Sequence, residues 1–392
     1  MREVFVYSNG KIYKEGSKKP LKHKKLLGCH NNYQITLSNS CDVFLKQGTG
    51  ASDYADVISK SLCDEVGVKC ADCDLVLMKD FPQVDEKKKM NFEEYKDFCK
   101  SNFHIEDINK IEQYYNNYLA IMEKERVHNA VVSYDYKIDE PYNNAQIIKL
   151  DELVCAYCNV TGSDGTYAIE TYNKIANELV SDSVIGKKLR KQLKIKKHVD
   201  LSSDFDLDLK KIALLGYATC QMDMSSHNLH LALIRNGKNY KLEVAPLFDN
   251  GESFNLASLN DENLTKEDVD AINSTSKEYG NALTLKESAN MNAHQQLIDL
   301  AEEMRLNPEL YEFYKKLKSV DIEHICDKEI DKQDLDVVKH AVISVYEERM
   351  FLLEQEYNRQ NKEFDTLLGR KGSSYQSLKD RGKLDIDLNI KR

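Results

Sequence analysis

The amino-acid sequence predicts an α+β protein of two lobes, a β-rich N-terminal lobe followed by a mainly helical C-terminal lobe. In residues 1–138, short apolar runs are separated by turn signals such as Asn9-Gly10, the pattern of paired strands. From about residue 150 onward, apolar residues recur at the three- and four-residue spacing of helices. One β-hairpin is predicted among these helices, because Asn236-Gly237 separates two alternating runs. A chain of 392 residues can form two or three domains, or one two-lobed domain.

Four strands are predicted near the N-terminus. The segments VFVY and KIYKEG flank the Asn9-Gly10 turn and form a hairpin. A lysine-rich loop is predicted over 18–25, and the segments NNYQITLS and CDVFLKQ form the next two strands. Lys46 lies at the end of the last of these strands, where a cation can face a binding site.

A helix is predicted from Asp53 to Gly67, where glycine ends the apolar repeat. Further strands are predicted over 73–81 and 129–138. The charged, tyrosine-rich stretch 92–124 between them is predicted to be a helical insertion. The apolar residues that define the first helix are Tyr54, Val57, Ile58, Leu62 and Val66.

The C-terminal lobe is predicted to contain several helices around the single hairpin. The predicted boundaries place the N-lobe at 1–138, with its insertion at 92–124, the C-lobe at 139–355 and a polar C-terminal tail at 356–392. The predicted helices cover 150–159, 165–180, 206–221, 265–280, 294–305, 308–318 and 334–358.

Composition and charge argue against several functional classes. The chain has 55 Lys+Arg and 65 Asp+Glu, and a net charge of -10 is opposite to the positive surface that general nucleic-acid binding needs. No apolar run approaches the ~18 residues of a membrane span, so no membrane partner is expected. The N-terminus turns polar after six residues and lacks a signal-peptide core. A cytoplasmic location is expected, and the ten cysteines are then expected to be reduced.

The segment 221–254 carries the strongest chemical signal. Asp223 and Asn228 stand five residues apart, and a hairpin then returns the chain to Asp249-Asn250-Gly251. Phosphoryl transfer needs a carboxylate that orients the attacking hydroxyl, and oxygen ligands that hold Mg²⁺ against the ATP phosphates. Protein kinases place a base and an Asn at the same interval, with a second metal-binding acid after a hairpin. The segment therefore indicates a phosphoryl-transfer site.

The N-terminal lobe supplies the other groups that such a site needs. Kinases use a strand lysine for the α- and β-phosphates and an acid on the next helix to hold that lysine. Lys46 ends a predicted strand, and Asp56 lies on the following helix, off its apolar stripe. No GxxxxGK[ST] motif is present, which disfavours a P-loop kinase.

Over residues 30–355, these segments together resemble the HipA-like serine/threonine kinases. The resemblance is carried by FLKQ and the helix after it, by VVSYDYK at 131–137, and above all by MDMSSHNLHLAL…LEVAPLFDNGESF. It implies a two-lobed protein-kinase-like fold and transfer of the ATP γ-phosphate to a Ser/Thr hydroxyl of a protein, with the chain itself as one candidate. It also implies roles for individual residues: Asp223 as catalytic base, Asn228 and Asp249 as Mg²⁺ ligands, Lys46 as the ATP contact and Asp56 as its partner.

Departures from the family pattern keep two other functions open. Ser225 stands where the family usually has histidine, with His227 displaced, and the only candidate phosphate loop is the lysine-rich segment 16–28. One alternative is a catalytically weak kinase-like binding module with an antitoxin-like partner. The other is a lipid or small-molecule kinase of the same fold, with the basic run 187–198 as an anionic-substrate patch.

Two further patterns allow both an ordinary and a functional interpretation. The run KKLRKQLKIKKH at 187–198 is typical of a solvated helix face, and an anion-binding surface is the alternative. Cys70 and Cys73 form one CxxC pair, and Cys155 and Cys158 form another. These thiols are expected to be small core side chains, because the pairs lie farther apart in sequence than in zinc ribbons.

Overall fold

A computed structural model gives the three-dimensional arrangement of the chain. The structure describes residues 3–8, 11–26, 31–37, 42–47, 51–80, 90–103, 107–123, 126–138, 140–224, 228–259, 265–276, 283–287, 292–332 and 334–379. Its strands lie mainly in the first third of the chain and its helices mainly in the rest, which confirms the two-lobed α+β class.

The N-terminal lobe is built on a seven-stranded sheet in the order β2-β1-β6-β7-β5-β4-β3. Every neighbouring pair is antiparallel except β1 and β6. Since β5 lies beside β7, Lys46 is paired with Val131 in the central part of the sheet. The strands are β1 (Val4–Ser8), β2 (Lys11–Lys14), β3 (Lys22–Lys25), β4 (Asn31–Thr36), β5 (Asp42–Gln47), β6 (Cys73–Asp80) and β7 (Arg126–Tyr134).

Helix α1 (Ser52–Val66) packs against this sheet and against the C-terminal lobe. Tyr54, Ile58 and Leu62 are almost fully buried, as their helical spacing predicted. The helix ends at Gly67, whose φ of 78° is left-handed, a conformation that glycine adopts without strain. The face of α1 that carries Asp56 is buried as well, which places a carboxylate inside the protein.

The predicted insertion is helical. It consists of α2 (Phe92–Phe103) and α3 (Ile108–Glu123), which precede β7. The rings of Phe92 and Tyr115 join the two helices edge to face, with centroids 5.2 Å apart. Part of the tyrosine-rich composition of this stretch is therefore explained by packing between its own helices.

The C-terminal lobe surrounds a small sheet in the order β8-β10-β11-β9. The predicted hairpin forms its centre, with β10 and β11 paired antiparallel around Gly237. The strands are β8 (Gln146–Lys149), β9 (Val199–Leu201), β10 (His230–Asn236) and β11 (Asn239–Val244). The helices are α4 (Leu150–Thr161), α5 (Ile169–Val180), α6 (Val184–Gln192), α7 (Phe205–Ala218), α8 (Lys266–Ser276), α9 (Ala293–Leu306), α10 (Pro308–Lys318), α11 (Ile322–Glu329) and α12 (Leu335–Lys379).

The main hydrophobic core joins the two lobes. It runs from α1, through Tyr54 and Leu62, to Leu214 of α7 and Val342 of α12. A separate cluster, which includes Phe5, lies within the N-terminal sheet. Because α1 belongs to the shared core, Asp56 has a fixed position relative to the C-terminal lobe.

Four expectations of local structure differ from the structure. The helix predicted over 334–358 continues to Lys379, so α12 includes the first part of the polar tail 356–392. The predicted loop 18–25 includes the strand β3, which is held by antiparallel pairing with β4. The basic run 187–198 is helical only to Gln192 and then leads into β9. The predicted strand 129–138 ends at Tyr134 and gives way to a 3-10 turn at Tyr136–Ile138.

Two other expectations concern turns and membrane spans. The Asn9-Gly10 turn lies outside the described residues, although the strands on either side pair as predicted. In the part of the chain that the structure describes, no helix is long and apolar enough to cross a membrane.

Candidate active site

A cavity of about 260 Å³ lies between the lobes. Its upper wall is β5, including Phe44 and Lys46, and its rear wall is the connection 133–137, called the hinge below. Its lower wall comes from the two ends of the C-terminal hairpin, where His230 and Phe248 lie. This volume is just under the ~300–1,000 Å³ of typical small-molecule pockets.

Lys46 joins two carboxylates at the inner end of this cavity. Its Nζ lies 3.2 Å from Oδ2 of Asp56 and 2.9 Å from Oδ1 of Asp249. The side chains of Lys46 and Asp56 are 15% and 5% exposed, whereas that of Asp249 is 44% exposed. The three residues come from β5, α1 and the segment after β11, so the fold brings together groups that are up to 203 positions apart.

The periodicity of β5 and α1 explains why these side chains meet. On β5, Val43 and Leu45 are fully buried in the N-terminal core, so Lys46 projects from the opposite face of the strand. On α1, Asp56 faces the cleft, and its second oxygen accepts a 2.6 Å hydrogen bond from the backbone N–H of Asn250. The carboxylate of Asp56 therefore contacts both Lys46 and the backbone of Asn250.

The two carboxylates determine the protonation of Lys46. Burial alone would lower the pKa of Lys46, but the charges of Asp56 and Asp249 outweigh that effect and raise it above its ordinary value. Lys46 is therefore a permanent cation. Burial raises the pKa of Asp56, and Asp249 adds to this rise, while Lys46 and the N–H of Asn250 oppose it.

Gly251 allows this close arrangement. A Cβ atom on Gly251 would lie 2.1 Å from Nζ of Lys46 and 3.3 Å from Oδ2 of Asp56. Asp249 itself has a left-handed φ of 56°, a conformation that Asp tolerates better than most residues. The Asp249-Asn250-Gly251 sequence thus provides both the acid and the space that the lysine needs.

Backbone pairing between the lobes fixes the segment that leads to Asp249. The N–H of Ala71 donates to the carbonyl of Leu247 over 2.7 Å, and the N–H of Leu247 donates to the carbonyl of Lys69 over 2.9 Å. Leu247 is only two residues from Asp249. The N-terminal lobe therefore holds the exit of the C-terminal hairpin in place.

Asp223 and Asn228 form a second pair in the loop after α7. Nδ2 of Asn228 donates to both the backbone carbonyl and Oδ2 of Asp223, each over 2.9 Å. Asp223 is exposed, unlike the buried Asp56. Asn228 therefore lies against Asp223, whose carboxylate remains accessible.

Gln221 connects this loop to Asp249. It is 1% exposed, its Oε1 accepts the N–H of Asp223 over 3.0 Å, and its Nε2 donates to the carbonyl of Asp249 over 3.4 Å. One buried amide therefore contacts the backbone of both acids and sets their relative position.

An aromatic cluster lies beneath the hinge. The hydroxyl of Tyr136 lies 2.6 Å from Nδ1 of His230, and the rings of His230 and Phe248 have centroids 4.5 Å apart. All three residues line the cavity. This side of the cavity is therefore formed largely by aromatic rings, which are tilted relative to one another.

The structure thus places the predicted residues in two groups. Lys46, Asp56 and Asp249 are in direct contact, and Asp223 contacts Asn228. Ser225 and His227 lie outside the described residues, and so does part of the candidate phosphate segment 16–28. Leu26, within that segment, lines the cavity.

Sequence reasoning missed Gln221, Tyr136 and His230. None of them belongs to the Asp223–Asn228–Asp249 spacing, and each has a contact with a residue distant in sequence. The available signal was position: Gln221 and His230 flank the Asp223–Asn228 pair, and Tyr136 lies within VVSYDYK. As for metal sites, no cluster of three His, Cys, Asp or Glu that could hold an ion occurs among the described residues, including the two CxxC pairs.

Comparisons with known proteins give a structural likeness only. The chain matches no protein-family model and no curated protein. It is similar to the proinflammatory kinase CtkA of Helicobacter pylori, at 10% identity and a TM-score of 0.49, over 87% of this chain and 96% of that one. HipA of Shewanella oneidensis, solved with HipB and operator DNA, gives 10% identity and a TM-score of 0.42, over 86% of this chain and 66% of that one. A Golgi casein kinase gives 10% identity and a TM-score of 0.30, over 85% and 71%.

Proposed function

We propose that this protein is an ATP- and Mg²⁺-dependent kinase that transfers the γ-phosphate to a Ser/Thr hydroxyl of a protein. The observation that carries the proposal is the contact of Lys46 with both Asp56 and Asp249 at the inner end of the interlobe cavity. A buried, permanently charged lysine held by an acid on the adjacent helix is the group that positions ATP phosphates.

The cavity supports a defined orientation of the nucleotide. The purine would lie between Phe44 above and Phe248 below, where stacking is favourable and the hinge backbone can supply hydrogen bonds. The phosphates would then extend towards Lys46. Binding would give Lys46 phosphate oxygens as partners, and Asp249 would exchange its contact with Lys46 for a metal ion.

The residues present fit Mg²⁺. Asn228 uses its amide nitrogen to hold Asp223, so its side-chain oxygen is the atom for a cation, and Asp249 contacts Lys46 through Oδ1 alone. Carboxylate and amide oxygens suit this hard ion, which takes its other ligands from phosphates and water. When bound, Mg²⁺ would neutralise charge on the β- and γ-phosphates.

Asp223 would act as the base. The substrate hydroxyl oxygen attacks the γ-phosphorus, the bond to the β–γ bridging oxygen breaks, and ADP leaves with that oxygen. The hydroxyl proton passes to the carboxylate of Asp223, which Asn228 holds in place. Because Asp223 is exposed, a Ser or Thr on a protein surface can reach it.

Transfer of label from γ-labelled ATP tests this proposal. The native chain and Asp249→Asn would each be incubated with ATP and Mg²⁺, with and without a chelator. The acceptors would be the chain itself, a generic protein and vesicles that contain inositol lipid. Label on a protein from the native chain, lost with the chelator and in Asp249→Asn, is the expected result.

Other outcomes would overturn the proposal in distinct ways. Label on inositol lipid and on no protein would select a lipid kinase. Tight Mg²⁺·ATP binding with no label on any acceptor would select a binding module, and an antitoxin-like protein partner would then be the target to isolate. Neither binding nor label would reject a nucleotide site in this cleft.

A further inference from the structure

A second concave surface lies on the C-terminal lobe, where α6 leads into β9. It has a volume of about 610 Å³, more than twice that of the interlobe cavity. Its lining is dominated by lysines, and we call this surface the lysine recess. The lysines that define it are Lys187, Lys191, Lys194, Lys196 and Lys197.

The cations of the lysine recess have few counter-charges. The run 187–198 contains seven Lys/Arg and no Asp or Glu. Among the described residues, none of the five lysines of the recess forms an ion pair, although Lys197 lies over the ring of Tyr240. Asp182, which also lines the recess, pairs with Arg190 at 3.4 Å. Ammonium groups gathered around one concave surface repel one another, so a bound anion with several charges would be stabilised there.

The scaffold beneath these lysines is fixed. NH1 of Arg190 donates to the carbonyls of Leu179 and Ser181 over 2.6 and 2.7 Å, which ties α6 to the end of α5. Nε2 of Gln146 donates to the carbonyl of Leu193 over 2.8 Å, which ties the segment after α6 to β8. The backbone therefore presents the lysines in a set arrangement before any ligand binds.

The recess is separate from the nucleotide cavity. His230, at the start of β10, lines the cavity, whereas Tyr240, at the turn end of β11, pairs with Val199 beside the recess. The hairpin strand β10 has 7 residues. At ~3.3 Å per residue, the two sites lie at opposite ends of a strand about 20 Å long.

We propose that the lysine recess binds a compact polyanion that carries several phosphate groups. Arg190 is committed to backbone carbonyls, so the available cations are lysines, which bind phosphate as point charges. The whole chain has a net charge of -10 even with this basic run included. A long nucleic acid or a membrane would extend beyond the recess over a protein whose remaining charges sum to a negative value, whereas a compact ligand keeps its charge within the recess.

Calorimetric titration with inorganic tripolyphosphate and with inositol hexakisphosphate, in the absence of Mg²⁺, tests this proposal. The recess variant would combine Lys187→Gln, Lys191→Gln and Lys196→Gln, all at exposed positions. The control would combine Lys110→Gln, Lys266→Gln and Lys332→Gln, which are also exposed but lie apart. Both variants lose the same charge, and melting curves would establish that both are folded.

The expected result is that at least one phosphate binds the native chain and the control equally, and binds the recess variant about tenfold or more weakly. That factor corresponds to about 1.4 kcal/mol. The affinity for the native chain should also fall with salt more steeply than that for the recess variant. Equal affinities in all three proteins, or no binding to the native chain, would overturn the proposal.

Two further arms distinguish the source of the phosphates. Vesicles that contain a phosphatidylinositol bisphosphate and a single-stranded RNA would be titrated in the same buffer. Binding to vesicles or to RNA, without binding of either free phosphate, would overturn the compact-ligand assignment. Label transfer in the interlobe cleft is measured separately, so failure here leaves the kinase proposal standing.

Discussion

The two halves of the candidate active site differ in how firmly the protein holds them. Lys46, Asp56 and Asp249 contact one another directly, and the first two are 15% and 5% exposed. Asp223 is exposed, and its carboxylate accepts a hydrogen bond from Nδ2 of Asn228. The half assigned to phosphates is therefore organised before a ligand arrives, which lowers the reorganisation that binding requires. The half assigned to transfer stays open to a large acceptor.

The largest effect is expected for Asp223→Asn, which should slow phosphate transfer without weakening nucleotide binding. Asp223→Asn keeps the size of the side chain but cannot accept a proton, so the transfer rate should fall by about 100- to 10,000-fold. The dissociation constant for Mg²⁺·ATP should stay nearly unchanged, because Asp223 lies outside the Lys46 cluster. Label transfer and equilibrium nucleotide binding would measure the two effects.

The matched control for Asp223→Asn is Asp164→Asn, the same change at an exposed loop position of the same lobe. The control should alter neither quantity. An Asp223→Asn protein that transfers phosphate at the native rate would show that Asp223 is not the catalytic base.

Breaking the Lys46 cluster, the half assigned to phosphates, should affect the stability of the fold as well as nucleotide binding. Lys46→Met leaves the carboxylate of Asp56 buried without its cation, which should destabilise the fold by about 3–5 kcal/mol. The double variant Lys46→Met/Asp56→Leu removes both charges and should recover most of that free energy without recovering nucleotide binding. Urea unfolding beside ATP titration gives both quantities. A Lys46→Met protein as stable as the native protein would contradict a stabilising role for the Lys46–Asp56 ion pair.

Gly251→Ala should displace the lysine without disturbing the fold. The new Cβ would lie 2.1 Å from Nζ of Lys46, the mobile end of a long side chain. Affinity for ATP should fall about tenfold, or about 1.4 kcal/mol.

Gly237→Ala is the contrasting variant, since Gly237 has open space around it and a φ of 57°. It should lower stability by about 1 kcal/mol and leave ATP affinity unchanged. Equal ATP affinity in both variants would contradict the role of Gly251.

The smallest expected effect concerns the link between the halves. Gln221 is a positioning residue, and each of its hydrogen bonds is worth about 0.5–1.5 kcal/mol. Gln221→Leu removes both bonds and should lower transfer roughly tenfold with little change in ATP affinity. Gln221→Glu keeps the acceptor for the N–H of Asp223 but loses the donor to the carbonyl of Asp249, so it should retain part of the activity. Steady-state kinetics would show whether Gln221→Leu loses more transfer activity than Gln221→Glu. Equal losses of activity in the two variants would contradict separate contributions of the two hydrogen bonds.

Local patterns predicted the elements with a strong apolar repeat, such as α1 and the β10–β11 hairpin. Local patterns did not predict strand β3 or the full length of helix α12. The strand β3 is formed by Lys22–Lys25, a polar sequence that is extended because it pairs with β4. The helix α12 continues beyond 356, where Tyr357 stacks on Tyr311 and Gln360 donates to the carbonyl of Ile298, contacts with other helices that a short apolar repeat does not predict.

The candidate site was predicted where a motif has a fixed spacing. Asp223 and Asn228 are five residues apart in one loop, so their proximity can be inferred from the sequence alone. The roles of Gln221 and Gly251 could not be inferred in this way. Gln221 reaches a residue 28 positions away, and Gly251 leaves room for a lysine of the other lobe. Only the folded chain reveals those contacts.

The most direct test of the central claim is the effect of Mg²⁺ on ATP affinity in the native chain and in Asp249→Asn. The account assigns Asp249 as a metal ligand beside Lys46, so Mg²⁺ should strengthen ATP binding to the native chain about tenfold or more, a change of about 1.4 kcal/mol. The same ion should have no effect on Asp249→Asn. Equal ATP affinity with and without Mg²⁺ in both proteins would contradict the assignment of this cleft as a Mg²⁺·ATP site.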